Sequence, residues 1–337
     1  MSPPVAGDAR FWSLALLGLG LPVCIALALR VPADAAGHAL AAGRFLPGAL
    51  GLRTGTMLGL DPAGAARLGQ GVAIAAFLAL GVTALSVAVR GREALFALLG
   101  LPSALAAASE PDGLVLGPVL GLTALAAALL TPRPLTGRGR PWRLAGAALA
   151  IALAVLARPA CAPLAGMLLV PVPPPERLAR FGRERLPLAA LALLPALLVS
   201  PALLGAPAVL GAPAVGGSDP APTVPLPWPL YGLWAAALLV PPLALRRGPL
   251  PPSAERIWLA GCILMGLWLT VLPQALAPAG TARDLQLRDL LPLMPPLVLA
   301  FARGRIGTAA ALRWPALLPV LAAAVDAVAL PLLVLRP

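Results

Sequence analysis

Apolar runs of about twenty residues recur from one end of this chain to the other, each long enough to cross the hydrocarbon core of a bilayer. No other feature restricts the fold as much. Lipid offers a backbone no hydrogen bonds, so such runs satisfy their own N–H and C=O groups as helices. Of the 337 residues, 60% are hydrophobic and 11% charged, against about a quarter charged in a soluble domain. The mean hydropathy is +0.91. The expectation is an all-α, polytopic transmembrane bundle: a single integral membrane domain over residues 1–337, with no separate soluble domain. The first run, Phe11–Leu29, is too long, and too poorly followed by a cleavage site, to read as a removed signal peptide.

The runs divide into about eleven expected spans: Phe11–Leu29, Gly69–Val89, Ala94–Ser109, Gly113–Leu130, Leu144–Ala157, Ala160–Val172, one ending at Leu204, Trp228–Leu245, Ile257–Leu272, Leu290–Ala302 and Trp314–Leu335. A segment over 30–68, rich in Gly and Pro, separates the first two and is expected to be an extracytoplasmic loop. With the N-terminus cytoplasmic, 17 of the 25 arginines fall on the inner side, as the bias toward basic cytoplasmic loops requires. Seven acids fall outside (Asp34, Asp61, Glu110, Asp112, Asp219, Asp284 and Asp289) against five inside, and Asp326 lies within a span. Both counts give one orientation.

The net charge of +12 does not indicate a nucleic-acid partner. Every basic residue is arginine, placed in short loops where topology accounts for it, and the abundance of Ala, Gly and Pro is that of a GC-rich genome. Cys24, Cys161 and Cys262 lie in or beside apolar runs, too scattered for a metal site or a disulfide framework. They read as small buried hydrophobes. No cofactor is expected and no residues are assigned to a metal, with metal dependence left open.

The inner loops are short and basic, as anchoring requires. Residues that topology leaves unexplained lie on the outer side. Asp34-Ala35-Ala36-Gly37-His38 follows the first span and holds the only histidine; a carboxylate and an imidazole four residues apart share one helix face. The same pair also reads as a chance juxtaposition in a polar loop. Glu110-Pro111-Asp112 stands at the outer mouth of the third and fourth spans, and a solvated turn would have that composition too. Arg158-Pro159 separates two short spans, where an arginine is either a snorkelling anchor or a ligand. Gln286-Leu287-Arg288 poses the same choice, with Asp284 one turn away as a possible partner for Arg288. Asp326 is an intramembrane acid, which reads as a functional group or as a hydrogen-bonding contact between helices.

Together the outer residues describe a lipid-phosphate site. Guanidinium forks match phosphate oxygens, and a nearby carboxylate can take the proton of an attacking hydroxyl. Transfer of a sugar from a polyprenyl phosphate needs both.

The pattern resembles a large group of bacterial membrane proteins related to GT-C glycosyltransferases. Those carry Asp-Glu-x-x-His after the first span, and Asp34 and His38 keep that spacing, with Ala35 in place of the Glu. Their Pro, small-residue run and Ser-Pro-Asp are similar to Pro102 through Ser109-Glu110-Pro111-Asp112-Gly113. Their basic-Pro-Pro-Tyr-x-Pro element is echoed by Arg158-Pro159-Ala160-Cys161-Ala162-Pro163, with Cys161 for the Tyr. A late Gln-Gly-Arg-Tyr-x-x-Pro is similar to Gln286-Leu287-Arg288-Asp289-Leu290-Leu291-Pro292, with Asp289 for the Tyr. The resemblance implies a GT-C-like fold in the bacterial inner membrane. It also implies a polyprenyl-phosphate sugar as donor and a cell-envelope glycan or lipid as acceptor. Asp34 would be the base, oriented by His38; Arg288, Arg158 and Gln286 would hold the donor phosphate, with Glu110 and Asp112 on the acceptor side. Two other readings stay open: a transporter or flippase of a lipid-linked saccharide, and a catalytically inactive assembly subunit.

Overall fold

The structure is a computed structural model that describes residues 6–30, 47–109, 116–131, 140–170, 185–195, 228–244, 253–275, 287–297 and 314–334. These are 93% helical and contain no strand. The elements are α1 (Ala6–Ala15), a π turn (Leu16–Gly20), α2 (Leu21–Arg30), α3 (Pro47–Met57), α4 (Pro62–Val87), α5 (Arg92–Gly100), α6 (Pro102–Ser109), α7 (Leu116–Leu130) and α8 (Arg140–Ala157). A first 3₁₀ helix (Pro159–Leu169), α9 (Arg185–Pro195), α10 (Trp228–Ala244), α11 (Ser253–Ala275), a second 3₁₀ helix (Leu287–Leu293) and α12 (Trp314–Val334) follow. Three stretches are long and apolar enough to cross a membrane: Ala9–Leu29, Pro62–Val87 and Ala254–Leu272. Shorter apolar helices stand beside them.

Prolines set most of the breaks. Pro22 has no N–H to give Gly18 and its ring crowds that carbonyl; the chain answers with the π turn just upstream, so α1 and α2 stay one rod. The expected span Ala94–Ser109 is two helices, because Pro102 holds Leu101 in an extended conformation (φ −53°, ψ 138°). Pro159 does the same to Arg158 (φ −146°, ψ 98°), ending α8; beyond it the chain continues as a 3₁₀ helix around Pro163. The segment 30–68 is not a loop throughout. It contains α3, and α4 starts at Pro62, where Asp61 accepts a hydrogen bond from the Gly64 N–H (3.3 Å) as an N-cap with proline next to it.

Packing relies on small residues. A Cβ built on Gly55 would lie 2.7 Å from Ala65 Cα, and one on Gly51 would lie 2.9 Å from Gly69 Cα, so α3 lies backbone to backbone against the start of α4. Gly117 and Gly121 do the same for α7 against α6 and α4: the built Cβ atoms fall 2.6 Å from Ala108 Cα and 2.8 Å from Leu80 Cβ. Buried on nearly every side, α7 is the middle of the bundle, which is why it is apolar all round. Phe77, Leu85, Leu95, Phe96 and Leu99 fill the core beside it. The three cysteines are buried and free.

The outside of the bundle is apolar as well. Leu14, Leu21, Ile25 and Leu29 form an exposed stripe on the first rod; Ile257, Leu264, Met265 and Trp268 form one on α11; Leu317, Leu321, Val328 and Leu332 form one on α12. Apolar stripes on the outer faces of peripheral helices suit lipid and not water. With the three long apolar helices, they point to a membrane protein.

Candidate functional site

The bundle has two ends, identified by which hydrogen bonds close each. At one end the C-terminal turn of α2 meets the start of α4 and the end of α6. Arg67 Nη1 donates to the Ala28 carbonyl and to Gln70 Oε1 (3.2 Å). Gln70, 1% exposed, donates from Nε2 to the Ser109 carbonyl (2.6 Å) and more distantly to that of Ala28 (3.5 Å). Ser109 is fully buried, its hydroxyl turned back to the Leu105 carbonyl (2.8 Å). Carbonyls of a last helical turn lack partners within their own helix; here two side chains of α4 supply donors to the ends of two others.

The opposite end is closed differently. Val89 N–H donates to Thr131 Oγ1 (3.0 Å), Arg143 Nη1 to the Val87 carbonyl (3.3 Å) and Arg92 Nε to the Leu85 carbonyl (3.1 Å). Thus α4 and α7 run in the same direction, from the Gln70 end to the Thr131 end, and α8 returns from Arg143 to finish at Arg158, on the Gln70 end.

The sequence-derived candidates sort onto this frame as follows. Asp34, His38, Glu110, Asp112 and Gln286 lie outside the described residues. The elements leading into two of those groups are placed: α2, four residues before Asp34 in sequence, and α6, directly before Glu110, are the two helix ends joined through Gln70. Arg158, half-buried, stands at the junction of α8 and the first 3₁₀ helix, with its N–H bonded to the Ala154 carbonyl (2.8 Å) and its carbonyl accepting from Cys161 N–H (2.9 Å). Arg288 falls within the second 3₁₀ helix, and its side chain is not among those described. That helix packs against α6, α7, α11 and the first 3₁₀ helix. Its Leu293 meets Gly266 of α11, where a built Cβ would lie 2.7 Å from Leu293 Cδ2 and 3.2 Å from the Ala160 carbonyl. The segments carrying Arg158 and Arg288 are therefore neighbours.

Asp326 does not belong to that end. It is fully buried in the middle of α12, and Trp234 Nε1 of α10 donates to its Oδ2. Its Oδ1 is buried with no hydrogen-bond partner among the described residues. A side chain turned into the bundle is what an acid in an apolar span requires.

Sequence reasoning missed Gln70 altogether and took Arg67 for a loop arginine. The available signal was an Arg and a Gln at a spacing of three, which share a face, at the start of a long apolar helix.

No family model, no curated protein and no solved structure matches this chain.

Proposed function

We propose that this chain is a membrane glycosyltransferase of GT-C-like architecture. It crosses the bacterial inner membrane about eleven times with its N-terminus in the cytoplasm. It moves a sugar from a polyprenyl-phosphate donor to a cell-envelope glycan or lipid on the extracytoplasmic side. One observation carries the reading: the helix ends that lead into Asp34 and into Glu110 are tied together through Gln70, at the end of the bundle where α8 delivers Arg158. In this mechanism Asp34 takes the proton of the acceptor hydroxyl, with His38 orienting it. The hydroxyl oxygen bonds to the anomeric carbon as the bond from that carbon to the phosphate oxygen breaks. Arg288, Arg158 and Gln286 hold the departing phosphate, and Glu110 and Asp112 shape the acceptor side.

In an assay with purified protein and a polyprenyl-phosphate sugar, Asp34→Asn is expected to keep donor binding. It should lose about 10²–10⁴-fold in transfer, the usual contribution of a general base. Arg288→Ala is expected to weaken donor binding by roughly tenfold or more through loss of charge-assisted hydrogen bonds. Transfer at the wild-type rate by Asp34→Asn would remove the base from the mechanism. The fully buried Asp326 favours a second reading, a proton-coupled transporter of a lipid-linked saccharide. Such a carrier would move the lipid-linked sugar across proteoliposomes without any transfer product, and Asp326→Asn would abolish the movement.

Orientation has its own test. In a cysteine-free background, an impermeant thiol reagent applied to intact cells is expected to label Asp219→Cys and to leave Arg180→Cys untouched. The reverse pattern would move the proposed site to the cytoplasmic face.

A further inference from the structure

The geometry points to Arg67 as the anchor of a phosphate-binding site at the Gln70 end of the bundle, a site that would exist whether or not any sugar is transferred. Arg67 is half-buried, on the second turn of a helix long and apolar enough to span a membrane. Its head is not free to wander as a snorkelling arginine's would be. Nη1 is committed to the Ala28 carbonyl and to Gln70 Oε1, and Gln70 is itself locked on the Ser109 carbonyl. Three elements thus fix the guanidinium plane.

That fixed plane has donors to spare. Nε and Nη2 make no hydrogen bond among the described residues, and no described carboxylate forms an ion pair with the group. The nearest acid in sequence, Asp61, accepts from the Gly64 N–H as the N-cap of the same helix. A partly desolvated cation held in place without a counter-ion is costly. An oxyanion that takes two parallel N–H bonds from the unused edge of the fork relieves that cost. At the end of a membrane bundle, the oxyanion on hand is a phosphate. Bilayer phospholipid, polyprenyl phosphate and free phosphate all carry it, and an internal carboxylate from Asp34, Glu110 or Asp112 is the rival occupant.

The test is native mass spectrometry of the delipidated full chain in detergent. The probes are phosphatidylglycerol, undecaprenyl phosphate, inorganic phosphate and, as a phosphate-free lipid, diacylglycerol. The wild type is expected to retain one equivalent of a phosphate-bearing probe and no diacylglycerol; which probe it retains identifies the source. Arg67→Lys keeps the charge and one donor for the Ala28 carbonyl but loses the planar fork. It is expected to unfold at the wild-type temperature and to bind about tenfold more weakly, the loss of one charge-assisted hydrogen bond. Unchanged binding by Arg67→Lys, or no preference for phosphate over diacylglycerol, would overturn the site. Loss of binding in Arg288→Ala alone would overturn it too, while leaving the transferase reading intact. Should Arg67→Lys not fold, a photoreactive phosphatidylglycerol bound to the wild type decides. Cross-links at residues 60–70 support the site, and cross-links confined to other segments refute it.

Discussion

Leucine in place of Gly117 is expected to destabilise the protein by about 3 kcal/mol or more, the upper end of what overpacking costs. A Cβ there would lie 2.6 Å from Ala108 Cα and 3.2 Å from the Ala107 carbonyl. The obstacles are backbone atoms, so no rotamer change relieves the clash, and α6 and α7 must move apart. Residues 110–115 connect those two helices and include Glu110 and Asp112, so the same substitution is expected to abolish any activity that depends on them. Gly71→Leu is the control. Nothing lies within 4 Å of its built Cβ, and exchanging an unpacked helical glycine for leucine changes stability by about 0.5–1 kcal/mol in the favourable direction. Thermal unfolding in detergent, followed by size-exclusion elution, measures both. Equal midpoints for the two variants would show that close helix approach at Gly117 contributes nothing.

Glycine is also where the sequence was least legible. Its abundance, together with alanine, has a compositional explanation in a GC-rich genome, which hides the few positions where the side chain must be absent. Gly51 and Gly55, or Gly117 and Gly121, stand four apart and so share a helix face. The sequence does not say which facing helix they meet. Gly71 and Gly232, with nothing within 4 Å of their built Cβ atoms, look the same in one dimension.

Helix character is legible in the long apolar runs, two of which stay helical despite internal prolines. The run Trp228–Leu245 is α10 (Trp228–Ala244), and Trp314–Leu335 is α12 (Trp314–Val334). Prolines were read less well. Pro22 and Pro102 lie inside runs that hydropathy treats as continuous, yet one produces a π turn and the other divides a span in two. Hydropathy averages over a window, whereas a missing N–H acts at a single residue. The candidate site was legible as residue types in order along the chain. Its organising contacts were not, because Gln70 reaches the carbonyls of Ala28 and Ser109, each about forty residues away, through backbone atoms that carry no sequence signature.

The buried pair of Trp234 and Asp326 gives the other large effect. Trp234→Phe removes the hydrogen bond to Asp326 Oδ2, and Oδ1 already has no partner among the described residues. The carboxyl, 0% exposed, would then be left with neither oxygen satisfied. A buried polar group stripped of its partner costs about 1–3 kcal/mol, more when it is charged, so a loss of about 2–3 kcal/mol is expected from this one substitution. Asp326→Leu fails in the opposite sense, since it strands the indole N–H, and about 1–3 kcal/mol is expected again. Asp326→Asn retains an acceptor for Trp234 and should stay close to wild type. The double variant, Trp234→Phe with Asp326→Leu, removes both polar groups together and is expected to recover most of the lost stability, because two apolar replacements leave nothing unsatisfied. The resulting coupling energy, read from a double-mutant cycle of unfolding in detergent, should exceed the roughly 0.6 kcal/mol average for hydrogen bonds between membrane helices. A coupling at or below that average would reduce the pair to ordinary helix contact. A larger one makes Asp326 the acid that fixes α10 against α12, since no other described residue donates to it.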